Sequence, residues 1–169
     1  MVELVGEPLV ILLVEDNDAH ADLAIRNLKN NRIANIIYHA NDGEKALDFL
    51  FHRGAYQEMK SSPRPNLILL DLRLPKVDGL EVLKTIKETP DLMQIPVVIL
   101  TSSEAETDIA KGYNYHANSY LVKPLDFPKF VQLMNDIGSY WLGWNTVPHP
   151  NLKKEFPQVD VTIPPIIRL

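Results

Sequence analysis

The sequence predicts an α/β protein built on a doubly wound, five-stranded parallel sheet with helices on both faces. Three observations predict it. Short apolar runs alternate with amphipathic helical segments, and the pair recurs five times along the chain. Three of the runs, Leu9–Val14, Leu67–Leu70 and Val97–Leu100, hold no polar residue to face water, as expected of strands covered on both sides. Right-handed crossovers between parallel neighbours then leave few topologies.

The first run, Leu9–Val14, ends in Glu15-Asp16, and Asn17 or Asp18 can cap the helix that follows. That helix carries Leu23, Ala24 and Leu28 on one face and stops near Asn30–Asn31. Ile36–Ala40 reads as a short strand. Asn41 and Glu44 have capping-box spacing before a helix with Ala46, Leu47 and Leu50, with Gly54 as its stop. Ala55–Arg64 is polar, contains Pro63 and reads as a surface excursion. Leu67–Leu70 then leads into Asp71. Pro75 and Gly79 punctuate a loop before helical spacing resumes at Leu80, Leu83 and Ile86.

Asp78 and Glu81 repeat the capping pattern for that helix, which spans Gly79–Lys87. Val97–Leu100 is the fourth strand and ends in Thr101. Ser103 and Glu106 again have capping-box spacing, for a weakly apolar helix to about Gly112 with Ala105, Ile109, Ala110 and Tyr113. It is expected to be held less firmly than its neighbours. Ser119–Val122 is the fifth strand and ends in Lys123-Pro124. Asp126 and Pro128 start a last helix with Phe130, Leu133, Met134, Ile137 and Trp141 inward. The expected organisation is an N-terminal lead over 1–8, one domain over 9–141 and a proline-rich extension over 142–169, with no separate output domain.

Composition narrows the function classes. The chain has 169 residues, 46% of them hydrophobic, which suits one domain with an appendage. It has no cysteine, so thiol catalysis, disulfides and cysteine-based zinc sites are excluded. The formal charge is -5 with no basic block, which argues against nucleic-acid binding. No apolar run reaches membrane-spanning length, and the acidic start (Glu3, Glu7) does not read as a signal peptide. A cytoplasmic protein is expected. His20, His39, His52, His116 and His149 lack metal-ligand spacing and read as surface or helix-edge residues.

The strand ends carry the chemistry. In an open parallel sheet the carboxyl ends of the strands meet along one edge, where such folds place their sites. Here that edge receives Glu15, Asp16, Asp71, Thr101 and Lys123. Crowded carboxylates repel unless a cation joins them, and hard oxygen ligands select Mg²⁺. Acids around Mg²⁺, with a lysine and a hydroxyl converging, make a pocket for a phosphoryl group, with Asp71 as the nucleophile. The competing reading of Asp71 alone is a strand-terminal acid that caps a loop amide.

The acidic pair Glu15-Asp16, the D-L-R-L-P-x-x-x-G run from Asp71 to Gly79, Thr101 closing VVILT, and Tyr120-Leu-Val-Lys123-Pro124 together resemble the receiver domain of two-component response regulators, over roughly residues 9–141. The resemblance implies the flavodoxin-like receiver fold with strand order 2-1-3-4-5. It implies Asp71 as phosphoacceptor for a sensor histidine kinase, with Thr101 and Lys123 acting on the phosphoryl group. It implies Asp16, Asp71 and the Arg73 backbone carbonyl as direct Mg²⁺ ligands, with Glu15 acting through water. Thr101 and Tyr120 become the switch pair, and Lys123-Pro124 a cis bond. The Arg73 side chain either steers attacking water or is solvated. The chain would catalyse its own phosphotransfer and dephosphorylation while serving mainly as a signalling protein.

The excursion FHRGAYQ…PRPNLILLDLRLP and the tail SYWLGWNTVP are similar to the stand-alone regulators paired with cyanobacterial phytochromes, which implies a phytochrome as the kinase. A homodimer through the Ser103–Trp141 face and the C-terminal extension is expected. The extension, Leu142–Leu169, holds five of the thirteen prolines, which exclude a long helix, and Val159–Ile163 alternates like a short strand. Two competing readings remain: a receiver-like interaction module that never uses phosphorylation, and a Mg²⁺-dependent phosphatase. The phosphatase requires a second Asp two residues after the nucleophile, where this chain has Arg73.

Overall fold

The computed structural model describes residues 8–31, 35–58 and 62–146. Five strands, β1 (Leu9–Val14), β2 (Asn35–Ala40), β3 (Leu67–Leu70), β4 (Val97–Thr101) and β5 (Ser119–Val122), alternate with five helices: α1 (Asp18–Lys29), α2 (Gly43–Phe51), α3 (Gly79–Glu88), α4 (Glu106–Asn114) and α5 (Phe127–Ile137). All the pairings are parallel, and the strand order is β2-β1-β3-β4-β5. The chain therefore reverses direction across the sheet between β1 and β3, and a crevice opens at their carboxyl ends.

The period-2 alternation of strand side chains divides the core into two layers. Leu12, Val14, Ile68, Leu70, Val97 and Ile99 point to one face, where Phe49 and Leu50 of α2 and Val82, Leu83 and Ile86 of α3 cover them. Ile11, Leu13, Leu67, Leu69, Val98 and Leu100 point to the other, under Ala24 and Leu28 of α1 and Phe130, Met134 and Ile137 of α5. Burial on both faces is why β1, β3 and β4 need no polar positions, whereas the edge strand β5 is only half-buried throughout. Truncating one of these core leucines to Ala costs about 2–5 kcal/mol, because the packed layers cannot collapse onto the gap.

Several local expectations are corrected. Asp42, not Asn41, caps α2, with its carboxylate accepting from the Lys45 amide at 2.7 Å. The helix ends at His52 in the left-handed region (φ 54°), and Gly54 (φ 57°) opens a 3-10 turn, Gly54–Tyr56, instead. The excursion is only partly a surface feature. The Tyr56 ring packs against Phe49, and the buried Ser62 donates to the Tyr56 carbonyl. The Lys123–Pro124 peptide is trans, the lower-energy isomer, and in this form Lys123 still reaches the acids.

The Ser103/Glu106 capping box does not form: α4 starts at Glu106 after Ala105, which makes no side-chain cap, and the Ser103 hydroxyl accepts from the Ala105 amide at 3.4 Å while donating to Asp108. Nor does α4 turn its apolar residues inward. Asp108 and Gly112 are its buried positions, while Tyr113 is exposed. Gly112 allows the close approach, since a Cβ there would lie 2.9 Å from Ile99 Cδ1 and 3.1 Å from Tyr120 Cδ2. After α5 a π-helical segment, Gly138–Trp144, carries Leu142 into the core and leaves Trp144 exposed. The predicted strand Val159–Ile163 and most of the expected extension lie outside the described residues.

Candidate functional site

Each acid reaches the crevice because a strand ends just before it. The Glu15 amide still donates to the Ala40 carbonyl of β2 (3.1 Å), and its own carbonyl pairs with His39 Nε2 (2.7 Å). Asp71 continues the β1–β3 ladder through its amide to Val14 (3.0 Å), and Lys123 continues the β4–β5 ladder through its amide to Thr101 (2.8 Å). Ladder geometry thus sets where all three side chains start.

Carboxylate oxygens of Glu15, Asp16 and Asp71 lie within 4.8 Å of one another. Glu15 and Asp71 are buried and Asp16 is exposed, so the cluster has a dry floor and an open mouth. Lys123 Nζ lies between the two buried acids, 2.8 Å from Asp71 Oδ2 and hydrogen-bonded to Glu15 Oε2. Its third partner is His20 Nδ1 at 3.4 Å. The loops help hold the carboxylates, with the Asn17 amide donating to Glu15 Oε1 (3.1 Å) and the Arg73 amide to Asp71 Oδ1 (3.3 Å).

Burial pushes the Glu15 carboxyl above its usual value of 4.5, and the charge of Asp71 adds to that, while the Lys123 ammonium opposes both. Burial, and then Lys123, push the His20 imidazole below 6.5, which suits a neutral ring accepting from Lys123. Three hard oxygen donors, one of them driven toward its protonated form chiefly by burial and also by the charge of Asp71, fit a divalent cation. Beside the mouth, Ala19, His20, Asp22, Leu23, Arg26 and Phe127 line an open cavity of about 380 Å³.

The switch candidates meet at Ser103. Thr101 is fully buried, and its Oγ1 accepts from the Ser103 amide at 3.4 Å. The half-buried Tyr120 donates its hydroxyl to the Ser103 carbonyl at 3.0 Å. Burial raises the Tyr120 hydroxyl above its ordinary value of 10.0. The Arg73 side chain, for which the sequence left two readings, is 63% exposed to solvent yet anchored at its tip. Its guanidinium pairs with Asp108 Oδ2 at 2.6 Å.

Sequence reasoning brought Glu15, Asp16, Asp71, Thr101 and Lys123 to the correct edge of the sheet. It missed Asp108, Ser103 as a bridging residue, and His20. For Asp108 a signal existed: it stands four residues before Gly112, so both share one face of a helix otherwise poor in large apolar residues.

Comparison with known proteins identifies the family. The profile of the response regulator receiver domain matches residues 11–135. A probable methanogenesis regulatory protein, FilR2, of Methanothrix harundinacea is 46% identical over 145 residues, covering 85% of this chain and 90% of that protein. The response regulator Rcp1 of Synechocystis is also 46% identical, over 141 residues, covering 83% and 94%. The crystal structure of its Mn²⁺-bound form superposes with a TM-score of 0.80 over 84% of this chain and 100% of the other. The phosphorylated cyanobacterial phytochrome response regulator RcpA, 39% identical, has a TM-score of 0.80 over 84% and 99%. The chain belongs to the response regulator receiver family.

Proposed function

We propose that this receiver takes a phosphoryl group from a histidine kinase onto Asp71, and that the residues at the strand ends act as follows. An Asp71 carboxylate oxygen attacks phosphorus, the N–P bond of the kinase phosphohistidine breaks, and its electron pair stays on the imidazole as it leaves. Lys123 neutralises oxygens of the transferred group, and the Thr101 hydroxyl donates to one of them. Asp16, Asp71 and the Arg73 backbone carbonyl would hold Mg²⁺ directly, and Glu15 through water. Bound there, the cation supplies charge neutralisation for the phosphoryl oxygens. The reaction depends on positioning and charge, so it requires no general base.

One observation carries the reading: Lys123 and the buried acids, delivered by three different strands, share one contact network around Asp71. The interaction-module alternative leaves this buried charge cluster without a task. The test is incubation with Mg²⁺ and acetyl phosphate, read by intact mass. A gain of one phosphoryl group is expected in the wild type and none in Asp71→Asn, with both folded by circular dichroism. Labelling retained by Asp71→Asn would overturn the assignment.

The apolar rim beside the mouth, with Phe127 and Leu125 exposed, supports this side as the one on which the kinase seats. A phytochrome as that kinase is supported by the likeness to RcpA, a phytochrome response regulator. FilR2 is as similar as Rcp1, each at 46% identity, and its name points to a different setting, so phosphotransfer from both kinds of kinase is the deciding comparison. A homodimer through the Ser103–Trp141 face is supported by the exposed Tyr113 and Tyr140 on that stretch. A chain truncated after Leu142 is expected to lose dimerisation or stability.

A further inference from the structure

Asp108 is a buried acid that the phosphotransfer chemistry does not use. It lies on the inner face of α4, where an amphipathic helix ordinarily presents an apolar side chain, and its side chain is 11% exposed. One oxygen, Oδ2, takes two short bonds: from Arg73 Nη2 at 2.6 Å and from Ser103 Oγ at 2.6 Å. Each partner leads on to the site. The Arg73 amide donates to Asp71 Oδ1, the Ser103 amide to Thr101 Oγ1, and the Ser103 carbonyl accepts from Tyr120. So one carboxylate on α4 is a single residue removed from the acceptor and from both switch side chains. Apart from this carboxylate, α4 buries only Gly112, so the helix has little apolar area to hold it in place.

We propose that Asp108 is the latch that keeps α4 in its resting position, and that phosphorylation of Asp71 releases it. The inference rests on the function proposed above. A phosphoryl group adds strong acceptor oxygens and up to about two negative charges beside the Arg73 amide, in competition with Asp108 for Arg73. As Thr101 turns to that group, Ser103, bonded to its hydroxyl, shifts with it and leaves Asp108. Both bonds to Oδ2 then weaken together, and α4 and Tyr120 are freed by the same event. The device is a competition between a resident carboxylate and an incoming phosphoryl group, and it biases an equilibrium between two existing positions of α4.

Hydrogen–deuterium exchange of the full chain over residues 103–114 tests this, in Asp108→Asn and wild type, with and without beryllium fluoride and Mg²⁺. At rest, Asp108→Asn is expected to exchange about tenfold faster in this segment alone, the size expected for losing a charge-assisted hydrogen bond. Its further change with beryllium fluoride should be smaller than in wild type, because the latch is already open. Resting exchange equal to wild type overturns the latch. So does an undiminished beryllium fluoride response, which marks Asp108 as structural only. If Asp108→Asn does not fold, Arg73→Gln removes the same bond from its exposed side and the same two comparisons decide. A wild-type chain indifferent to beryllium fluoride overturns the phosphoacceptor reading and the release step together, and is told apart from failure of the latch by the resting comparison.

Discussion

Lys123 Nζ lies 2.8 Å from Asp71 Oδ2, and both side chains are buried, 5% and 7% exposed. The same ammonium bonds Glu15, whose side chain is 4% exposed. One cation therefore serves two carboxylates that burial brings together, which leaves the cluster short of positive charge.

Removing that cation strands both acids. Lys123→Met is expected to destabilise the protein without divalent metal by about 3 kcal/mol, the cost of breaking a buried ion pair from one side. Urea denaturation in EDTA measures it. Mg²⁺ should restore part of the loss while leaving phosphotransfer impaired, since the ion replaces the charge of Lys123 but not its reach.

Divalent cation should stabilise the wild type more than it stabilises Asp16→Asn. Binding only to the folded state adds about 2.7 kcal/mol at a hundredfold excess over Kd. The thermal midpoint, followed through a Mg²⁺ titration, reads this directly. An equal rise in Asp16→Asn would remove Asp16 from the ligand set.

Glu15 sets a pH dependence. Its folded-state pKa stands above the usual 4.5 because burial disfavours the carboxylate, so the folded chain holds its proton more tightly than the unfolded chain does. The stabilising contribution is complete below about pH 4.5. It is lost as pH rises from there through the raised value. In EDTA, Glu15→Gln should flatten this fall in the urea midpoint. Saturating Mg²⁺ should flatten it in the wild type, because the cation favours the charged form.

Gly79→Ala is expected to cost about 3 kcal/mol or more, because the new Cβ would sit 2.2 Å from the Asp71 carbonyl oxygen and 2.5 Å from Leu72 Cα. Backbone at both places leaves nothing flexible to yield. The displaced Asp71 should also lose phosphorylation by acetyl phosphate under conditions where the variant remains folded. Mass spectrometry beside circular dichroism separates the two effects.

The sheet and the acidic edge were legible in the chain because they depend on short-range patterns. Unbroken apolar runs such as Leu67–Leu70 mark strands covered on both faces, and in a parallel sheet whatever follows each run must arrive at one edge. Glu15, Asp16, Asp71 and Thr101 are each defined by that rule, and Lys123 arrives at the same edge behind the half-buried edge strand Ser119–Val122. Asp108 obeys no such rule. Spacing shows that it shares a helix face with Gly112, but not which face α4 turns to the sheet, and that depends on Gly112 admitting Ile99 and Tyr120 at close range. The pairing of Arg73 with Asp108, 35 residues apart, arises only when the β3–α3 loop and α4 are packed side by side. Local sequence determined which residues face the crevice. Packing between elements decided which of them are tied together, because a contact between distant segments leaves no period in the chain.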